Sequence, residues 1–304
     1  MNSAITSPGR NSRDRLAPDQ TTNERRLIVQ AQTTDRGFLN GVRTYYDKNT
    51  PRFVRSHQSA VAKAIHREVW GPGVQTEKKA FEYANTQVLR AILDSSAPSP
   101  MPVLDLGCGV GGTLFYLAER IPIEGIGITL SPVGVRLAEA LARESGLGDR
   151  CRFLEANYLE LPDVGLRPAV YAIESFLHGP DPARFFGSAA AVIPSGGRLI
   201  ICDDFLTEAA ETTRDRIARR NLADFRRGWH VGSLITPKQA EAYGQDEGLR
   251  LIENRDLTPY LRLQRPCDRM IAKFVTIGRG LPIRSPWWIA GSEATPFSAA
   301  YSLV

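Results

Sequence analysis

The chain has 304 residues, of which 42% are hydrophobic and 23% charged, a composition typical of globular proteins with a sizeable core. No stretch approaches the roughly 18 consecutive apolar residues of a membrane-spanning helix, and the N-terminus lacks the apolar segment of a secretory signal, so we expect a cytoplasmic protein without a membrane span. The cysteines are scattered without a C-x-x-C pair or another metal-binding motif, which argues against a metal site or a disulfide framework; they are Cys108, Cys151, Cys202 and Cys267.

The formal net charge of +5 is compatible with a nucleic-acid partner, an anionic small molecule or a solvated basic surface. Proteins that bind nucleic acids cluster their basic residues. Here the basic pairs, among them Arg219-Arg220 and Arg226-Arg227, are spread among acidic residues without an aromatic-rich basic stripe. This pattern favours solvated surface charge first and an anionic substrate second, and it predicts no nucleic-acid partner.

Three regions of different composition follow one another along the chain. Residues 1–34 are polar with almost no apolar periodicity, which predicts a flexible tail. Residues 35–98 carry apolar and aromatic residues in mainly helical patterns and are interpreted as an N-terminal cap. Three prolines between Ser95 and Pro102 end this region, because proline does not continue a helix. Residues 99–304 form the predicted main domain, with an insertion at about 205–235.

The main domain alternates strand patterns with helix patterns. Short apolar strands separated by helices indicate right-handed βαβ units and a parallel sheet covered on both faces. The predicted strands are Val103–Leu106, Gly125–Thr129, Cys151–Glu155, Ala169–Ile173, Arg198–Cys202 and Leu249–Asp256. The predicted helices are Gly112–Arg120, Pro132–Ser145, Pro182–Val192, Glu208–Trp229 and Pro237–Glu247.

A glycine-rich turn follows the first predicted strand. Asp105 precedes Gly107, Gly109 and Gly111 in the order D-x-G-x-G-x-G, and a helix begins directly afterwards. Glycines permit positive φ and let a ligand approach the backbone, while the helix presents free N–H groups. A tight turn without a ligand is the alternative for a glycine motif taken alone. The strand before it, the helix after it and the further strands favour a cofactor loop.

This segment resembles the first motif of class I S-adenosylmethionine-dependent methyltransferases more closely than the G-x-G-x-x-G of nicotinamide enzymes. The resemblance implies an α/β Rossmann-like fold with a mostly parallel seven-stranded sheet, helices on both faces and a helical cap. It implies S-adenosylmethionine as the cofactor. Asp105 and Gly107 would then lie near its methionine portion, with Gly109 in the same loop.

The end of the second predicted strand indicates which branch of this family the sequence resembles. Thr129-Leu130-Ser131 stands where many relatives carry an acid for the ribose hydroxyls. This ending is similar to a branch that contains geranyl diphosphate and other prenyl C-methyltransferases, sterol and tocopherol methyltransferases and cyclopropane-fatty-acid synthases. Thr129 and Leu130 are therefore expected at the cofactor. Ser131 also fits an N-cap with Pro132 in the first turn, and both roles can hold together.

Further cofactor contacts are expected from a loop and from the cap. After the third strand, Asn157 has the position that faces the adenine amino group in the family, although asparagine in a loop is commonly a turn former. Tyr158 follows it. In the cap, the resemblance implies that a tyrosine closes over the cofactor, and we assign Tyr45 to the cofactor and Tyr46 to the acceptor.

Glu174 and His178 are the predicted catalytic residues. Glu174 directly follows the fourth strand, where this fold binds ligands, and begins a segment similar to the E-S-x-x-H-x-x-D stretch of the carbon-methylating branch. A carboxyl group at the mouth of an apolar crevice is expected to have a raised pKa and would stabilise and deprotonate a carbocation. A solvated loop glutamate is the alternative. His178 is the expected base if the acceptor is a hydroxyl, with a packing histidine as the alternative.

Aromatic and basic residues of the cap and the insertion are expected to form the acceptor pocket. His66 and Trp70 belong to an H-x-x-x-W-G segment that lines this pocket in the branch, and core packing is the alternative for Trp70. Arg226 suits a phosphorylated tail, because guanidinium groups bind phosphate oxygens in pairs, and a solvated helix end is the alternative. The full predicted set is Tyr46, His66, Trp70, Phe176, Arg226, Trp229, His230 and Tyr260.

The sequence thus predicts a small-molecule methyltransferase, with C-methylation of an isoprenoid alkene such as a prenyl diphosphate as the preferred reaction and Glu174 removing the carbocation's proton. With a diphosphate acceptor, Mg²⁺ would bridge the phosphates. An O- or N-methyltransferase of a natural product, using His178 as base, is the first alternative. A cofactor-binding protein without catalysis is the second. The acceptor and the number of subunits stay open, a homo-oligomer included.

Overall fold

The computed structural model describes residues 35–51, 66–94, 98–262 and 300–303. The sequence-predicted tail, residues 52–65 of the cap and Cys267 lie outside this part of the chain. The described residues from Phe38 onward belong to one compact unit. The division into tail, cap and main domain stays a prediction.

Seven described strands form one sheet in the order β3-β2-β1-β4-β5-β7-β6. Strands β1 to β5 pair with their neighbours in parallel, and β7 runs antiparallel to both β5 and β6. The predicted Rossmann-like fold with a mostly parallel sheet is confirmed. The bounds are β1 Met101–Leu106, β2 Ile123–Thr129, β3 Cys151–Glu155, β4 Ala169–Ile173, β5 Arg198–Phe205, β6 Arg255–Asp256 and β7 Ala300–Leu303.

The described helices begin and end close to the predicted positions in the centre of the chain and depart from them toward its end. Residues 35–51 form α1. The others are α2 Glu77–Leu93, α3 Gly112–Ala118, α4 Pro132–Glu144, α5 Pro182–Val192, α6 Glu208–Glu211, α7 Arg216–Gly228 and α8 Pro237–Asp246, with short 3-10 helices at Phe176–His178 and Thr258–Tyr260.

Two predictions about the last third of the chain are wrong. The single helix expected over Glu208–Trp229 is two helices, because the Asp215 side chain accepts a hydrogen bond from the backbone N–H of Ala218 at 2.7 Å and starts α7 anew. The strand expected over Leu249–Asp256 is limited to Arg255–Asp256, and it pairs antiparallel with β7.

The sheet carries an apolar core on each face, as parallel strands buried on both sides require. Side chains alternate along β1, so that Val103 belongs to one core and Leu104 and Leu106 to the other. Both cores stop at the carboxyl ends of the strands, where polar residues follow. Among the described residues no helix is long and apolar enough to cross a membrane. Cys108, Cys151 and Cys202 are buried and form no disulfide with a described residue.

Candidate functional site

A cavity opens at the carboxyl ends of β1, β2 and β4, where the loops after these strands meet α1. The strand order reverses between β1 and β4, which is where open α/β sheets bind ligands. In chain order the lining residues are Val42, Arg43, Tyr46, His66, Asp105, Gly107, Cys108, Gly109, Val110, Gly112, Thr113, Thr129, Leu130, Ser131, Tyr158, Ile173, Glu174, Ser175 and His178.

The glycine-rich loop between β1 and α3 forms one wall of the cavity. Gly107, Gly109 and Gly111 have φ of +93°, +55° and +85°, a left-handed backbone that favours glycine. A Cβ added to Gly107 would lie 2.3 Å from the Cβ of Ser175. The backbone N–H groups of Gly107 and Cys108 both donate to the carbonyl of Ile128, each at 2.9 Å. The loop is therefore held between the ends of β2 and β4.

Asp105 presents a buried carboxyl group to this cavity. It is 4% exposed and accepts a hydrogen bond from the hydroxyl of Tyr171 at 2.9 Å. Burial raises the pKa of Asp105 to about 7, and the bond from Tyr171 offsets only part of that rise. No Lys, Arg or His of the described residues lies within ion-pair distance of it. A ligand cation placed here would favour the ionised carboxylate.

Ser131 joins the end of β2 to the N-terminal helix. Its hydroxyl oxygen accepts from the backbone N–H of Gly134 at 2.9 Å, which confirms the N-cap role, and its hydroxyl donates to Asp47 at 2.5 Å. An acidic residue thus reaches the end of β2 from α1. Arg43, one turn earlier on α1, pairs with Glu155 at the end of β3 at 3.1 Å. Two contacts hold α1 beside the cavity.

Of the two residues predicted after the third strand, only Tyr158 lines the cavity. Its hydroxyl donates to the carbonyl of Ser175 at 2.9 Å. Asn157 lies outside the lining, and its Oδ1 accepts from the backbone N–H of Leu159 at 3.0 Å. The turn-forming interpretation fits Asn157 better than the adenine contact, because the acceptor oxygen already has a backbone partner.

Glu174 lines the cavity with a strained backbone and a paired side chain. Its φ is +46°, a conformation that is costly for a residue with a Cβ. Its Oε1 accepts from the backbone N–H of Arg67 at 2.9 Å and from Nε of the same residue at 3.0 Å. The Arg67 guanidinium also reaches Asp204 at 2.6 Å. The positive φ is the kind of feature that clusters at functional sites.

The raised pKa expected for Glu174 is wrong. Burial alone would raise it, but the charges of Arg67 and His66 and the hydrogen bonds from Arg67 outweigh burial and lower the pKa of Glu174. Glu174 is therefore an ionised carboxylate of low basicity at neutral pH.

His178 is buried with both ring nitrogens engaged. Nδ1 lies 3.1 Å from the backbone carbonyl of His230, and Nε2 lies 2.7 Å from the hydroxyl of Tyr46. A carbonyl oxygen only accepts, so Nδ1 carries the hydrogen, and Tyr46 donates to the lone pair of Nε2. Burial lowers the pKa of His178 to about 4 and raises that of Tyr46 well above its usual value. Both groups are neutral at pH 7.

Several residues predicted to contact the acceptor lie away from the cavity. Phe176 is wrong as an acceptor contact: it is fully buried and packs in the core against Phe185 and Phe205. Trp70 and Tyr260 lie together elsewhere, since the backbone N–H of Trp70 donates to the carbonyl of Tyr260 at 2.7 Å. Neither residue lines the cavity.

An aromatic cluster lies behind Tyr46 rather than in the cavity lining. The ring of Tyr45 lies 5.0 Å from that of Tyr46, 5.6 Å from that of His230 and 6.4 Å from that of Trp229. The cavity lining therefore omits Tyr45, which was expected at the cofactor, and Trp229 and His230, which were expected at the acceptor. Arg226 is exposed and bonds the carbonyl of Leu234 at 3.4 Å.

The cavity does collect most of the predicted cofactor residues and four of the acceptor or catalytic residues, namely Asp105, Gly107, Gly109, Thr129, Leu130, Tyr158, Tyr46, His66, Glu174 and His178. Sequence reasoning missed Arg67, Asp47 and Arg43. Glu174 directly follows a buried strand, and a buried carboxylate requires a partner of opposite charge. This requirement is the one feature of the sequence that indicates a basic partner such as Arg67.

Comparison with known proteins places the described fold and loop in a wider family. Residues 98–248 match the model of a methyltransferase domain. A probable chloroplastic tocopherol O-methyltransferase of Oryza sativa subsp. japonica is 40% identical over 172 residues, covering 54% of this chain and 46% of that protein. Norajmaline N-methyltransferase of Rauvolfia serpentina is 31% identical over 158 residues, covering 52% of this chain and 48% of that protein. The chain thus spans about half the length of these curated relatives.

A solved structure supports the fold over a larger part of the chain. Geranyl diphosphate methyltransferase, solved with geranyl diphosphate and sinefungin, superposes with a TM-score of 0.65 over 88% of this chain and 97% of that chain. At 16% sequence identity this likeness concerns the fold alone.

Proposed function

Since the chain belongs to the class I S-adenosylmethionine-dependent methyltransferases, we propose that it methylates an oxygen or nitrogen atom of a small-molecule acceptor, with Tyr46 and His178 taking up the acceptor's proton. The observation that carries this proposal is the neutral, buried His178, whose Nε2 faces the Tyr46 hydroxyl at the cavity. The O- and N-methyltransferase names of two curated relatives agree with it.

The residues at the cavity fit S-adenosylmethionine, the cofactor of this family. Asp105 is a buried carboxyl group without a cationic partner among the described residues, and the α-ammonium of the methionine portion would supply one. Gly107 and Gly109 would hold the same portion along the glycine loop. Thr129, Leu130 and Tyr158 line the rest of the cavity and would contact the adenosine. When bound, the cofactor supplies an electrophilic methyl group.

Tyr46 and His178 form a path for one proton. A hydroxyl becomes strongly acidic as its oxygen is methylated, so a weak base suffices, and the N–H of a neutral amine also becomes more acidic as its nitrogen is methylated. The Tyr46 hydroxyl passes its proton to Nε2 of His178 and takes the proton of the acceptor. The bond from Nδ1 of His178 to the carbonyl of His230 stays in place and holds the ring in position. Because the pKa of Tyr46 is well above its usual value, the two transfers are expected to be concerted.

Carbon methylation is the second candidate reaction. It is favoured by the ionised side chain of Glu174 at the cavity. An ionised carboxylate at the cavity would stabilise a carbocation that forms as an alkene is methylated. A prenyl diphosphate has less support as the acceptor. The arginines near the cavity, Arg43 and Arg67, already pair with carboxylates. No group of His, Cys, Asp or Glu among the described residues could hold a metal ion.

The position of the new methyl group tests the proposal. The full chain is incubated with S-adenosylmethionine carrying a ¹³C methyl group and with separate phenols, alcohols, amines and alkenes, including geranyl diphosphate with Mg²⁺. The carbon chemical shift of the product distinguishes O- and N-methyl groups from C-methyl groups. A methyl group on oxygen or nitrogen is the expected result. Turnover of the alkenes alone would contradict the proposal and favour the second candidate.

A further inference from the structure

The helix α7 carries a strongly basic outer face. Arg216, Arg219, Arg220 and Arg227 share one helix side, because Arg219 and Arg220 lie three and four residues after Arg216 and Arg227 lies seven after Arg220, and all are exposed. The opposite side packs Leu222 and Phe225 onto a small apolar cluster of Leu177, Leu206, Ala210, Val231 and Leu234. The sequence interpretation of dispersed basic pairs is therefore wrong here, because the helix gathers two of them on one surface.

Most of the chain's excess charge lies in this one segment. Residues 214–230 contain six arginines and two aspartates, a formal charge of +4 against +5 for the whole chain. Arg227 pairs with Asp224 at 3.2 Å. Arg216, Arg219 and Arg220 form no ion pair within 4.0 Å with any residue that the structure describes.

The segments outside the described residues carry more basic than acidic residues. They have 13 Lys or Arg residues and five Asp or Glu residues. This balance favours a partner of opposite charge on another molecule.

An apolar side chain flanks the arginines. Ile217, at the edge of the basic face, is 72% exposed. Basic residues with an exposed aliphatic residue at the margin suit a helix that lies in a membrane interface. Nucleic acids and acidic proteins would pair with the arginines, but an exposed isoleucine contributes little to binding such polar partners.

The same helix ends beside the cavity. The Trp229 ring lies 6.4 Å from that of Tyr45, the neighbour of Tyr46, and the next residue, His230, bonds His178 through its carbonyl. A surface bound to this face would therefore lie close to the proposed acceptor site.

We propose that the outer face of α7 docks the protein on an anionic lipid membrane, with the arginines at the phosphate groups and Ile217 entering the interface. This binding is peripheral and independent of the proposed methyl transfer.

Vesicle co-sedimentation of the full chain tests the docking. Vesicles of phosphatidylcholine alone are compared with vesicles of phosphatidylcholine and phosphatidylserine, at low and high salt. We expect binding to the anionic vesicles, weakened by salt, and little binding to the neutral ones. The variant R216Q/R219Q/R220Q should bind about 100-fold more weakly, about fivefold for each arginine removed. Each single replacement should weaken vesicle binding about fivefold, so the single variants provide the test if the triple variant folds poorly.

Two further variants distinguish docking through the outer face of α7 from attraction by the net charge of the whole protein. R136Q/R143Q/R152Q removes the same charge from exposed positions elsewhere and should bind as the wild type does. I217N keeps the charge and should still weaken vesicle binding. S-adenosylhomocysteine affinity checks that each variant is folded. Equal vesicle binding by the α7 arginine variant, no effect of I217N, or retention on heparin without any vesicle binding would each overturn the proposal.

Discussion

The hydroxyl oxygen of Tyr46 lies 2.7 Å from Nε2 of His178, although 132 residues separate the two in the chain. The carbonyl of His230 fixes the hydrogen on Nδ1 of the same ring, so the lone pair of Nε2 is the acceptor of the Tyr46 proton. This pair links the cavity to a buried neutral imidazole. It is the basis of the proton path proposed above.

Replacing Tyr46 by phenylalanine should interrupt this path while keeping the ring. We expect kcat to fall by about 100-fold, the lower end for loss of general-base catalysis, with the dissociation constant for S-adenosylmethionine nearly unchanged. Tyr243→Phe makes the same chemical change in α8, away from the cavity, and should keep wild-type kcat. Wild-type turnover by Tyr46→Phe would show that the hydroxyl is not part of the path.

The buried neutral ring of His178 should make stability depend on pH. Burial lowers the pKa of His178 to about 4, whereas the unfolded chain has the usual value of about 6.5. Between these values the unfolded state binds a proton that the folded state does not. The stabilising contribution of the neutral, buried His178 is therefore complete above about pH 6.5 and is lost as the pH falls toward 4. Urea unfolding between pH 7 and about 4.5 should show a steeper loss for the wild type than for His178→Gln; parallel curves would refute this pKa.

Binding of the cofactor should release a proton from Asp105. The pKa of this carboxyl is raised to about 7, so it is roughly half protonated at pH 7. A ligand ammonium group lowers that pKa, and about half a proton should be released per molecule bound. Calorimetry of S-adenosylhomocysteine binding in buffers of different ionisation enthalpy measures this number. Asp105→Asn should bind more weakly and release no proton, and an unchanged proton release by this variant would rule out Asp105 as the source.

Gly107 should tolerate alanine less well than a glycine of similar backbone elsewhere. Gly196 has φ of +81° with no atom within 4 Å of an added Cβ, whereas the Cβ on Gly107 would meet Ser175 at 2.3 Å. Both alanine variants carry the left-handed strain of about 1–2 kcal/mol. Only Gly107→Ala adds the overpacking cost, typically about 1–3 kcal/mol. Urea unfolding of both variants measures the difference, and equal losses would contradict the close contact with Ser175.

Local signals in the sequence predict the centre of this fold well. Cys151–Glu155, Ala169–Ile173 and Pro182–Val192 have the predicted bounds. An apolar run ended by a turn residue, or a capping residue followed by proline, fixes such an element within a few residues of its own position. The same kind of signal marks the start of α7, because Asp215 is an aspartate, a strongly preferred N-cap residue. The helical pattern of charged and apolar residues continues across Asp215, so the sequence predicted one helix instead of two.

The electrostatics of the site could not be predicted in the same way. The pKa of Glu174 depends on Arg67, 107 residues away in sequence, and the neutral state of His178 depends on burial and on the carbonyl of His230. These groups meet only because separate segments converge at the ends of the strands. The position of Glu174 was readable from the motif, whereas its charge state required the tertiary structure.

The most direct test of the proposed reaction compares kcat for His178→Ala and Glu174→Gln with the same acceptor, alongside the dissociation constant of each variant for S-adenosylmethionine. If a heteroatom is methylated through Tyr46 and His178, His178→Ala should lose about 100-fold to 10,000-fold in kcat with cofactor affinity retained, and Glu174→Gln should lose less. If His178→Ala turns over within a few-fold of the wild type while Glu174→Gln is inactive, the heteroatom proposal is wrong and carbon methylation with Glu174 takes its place.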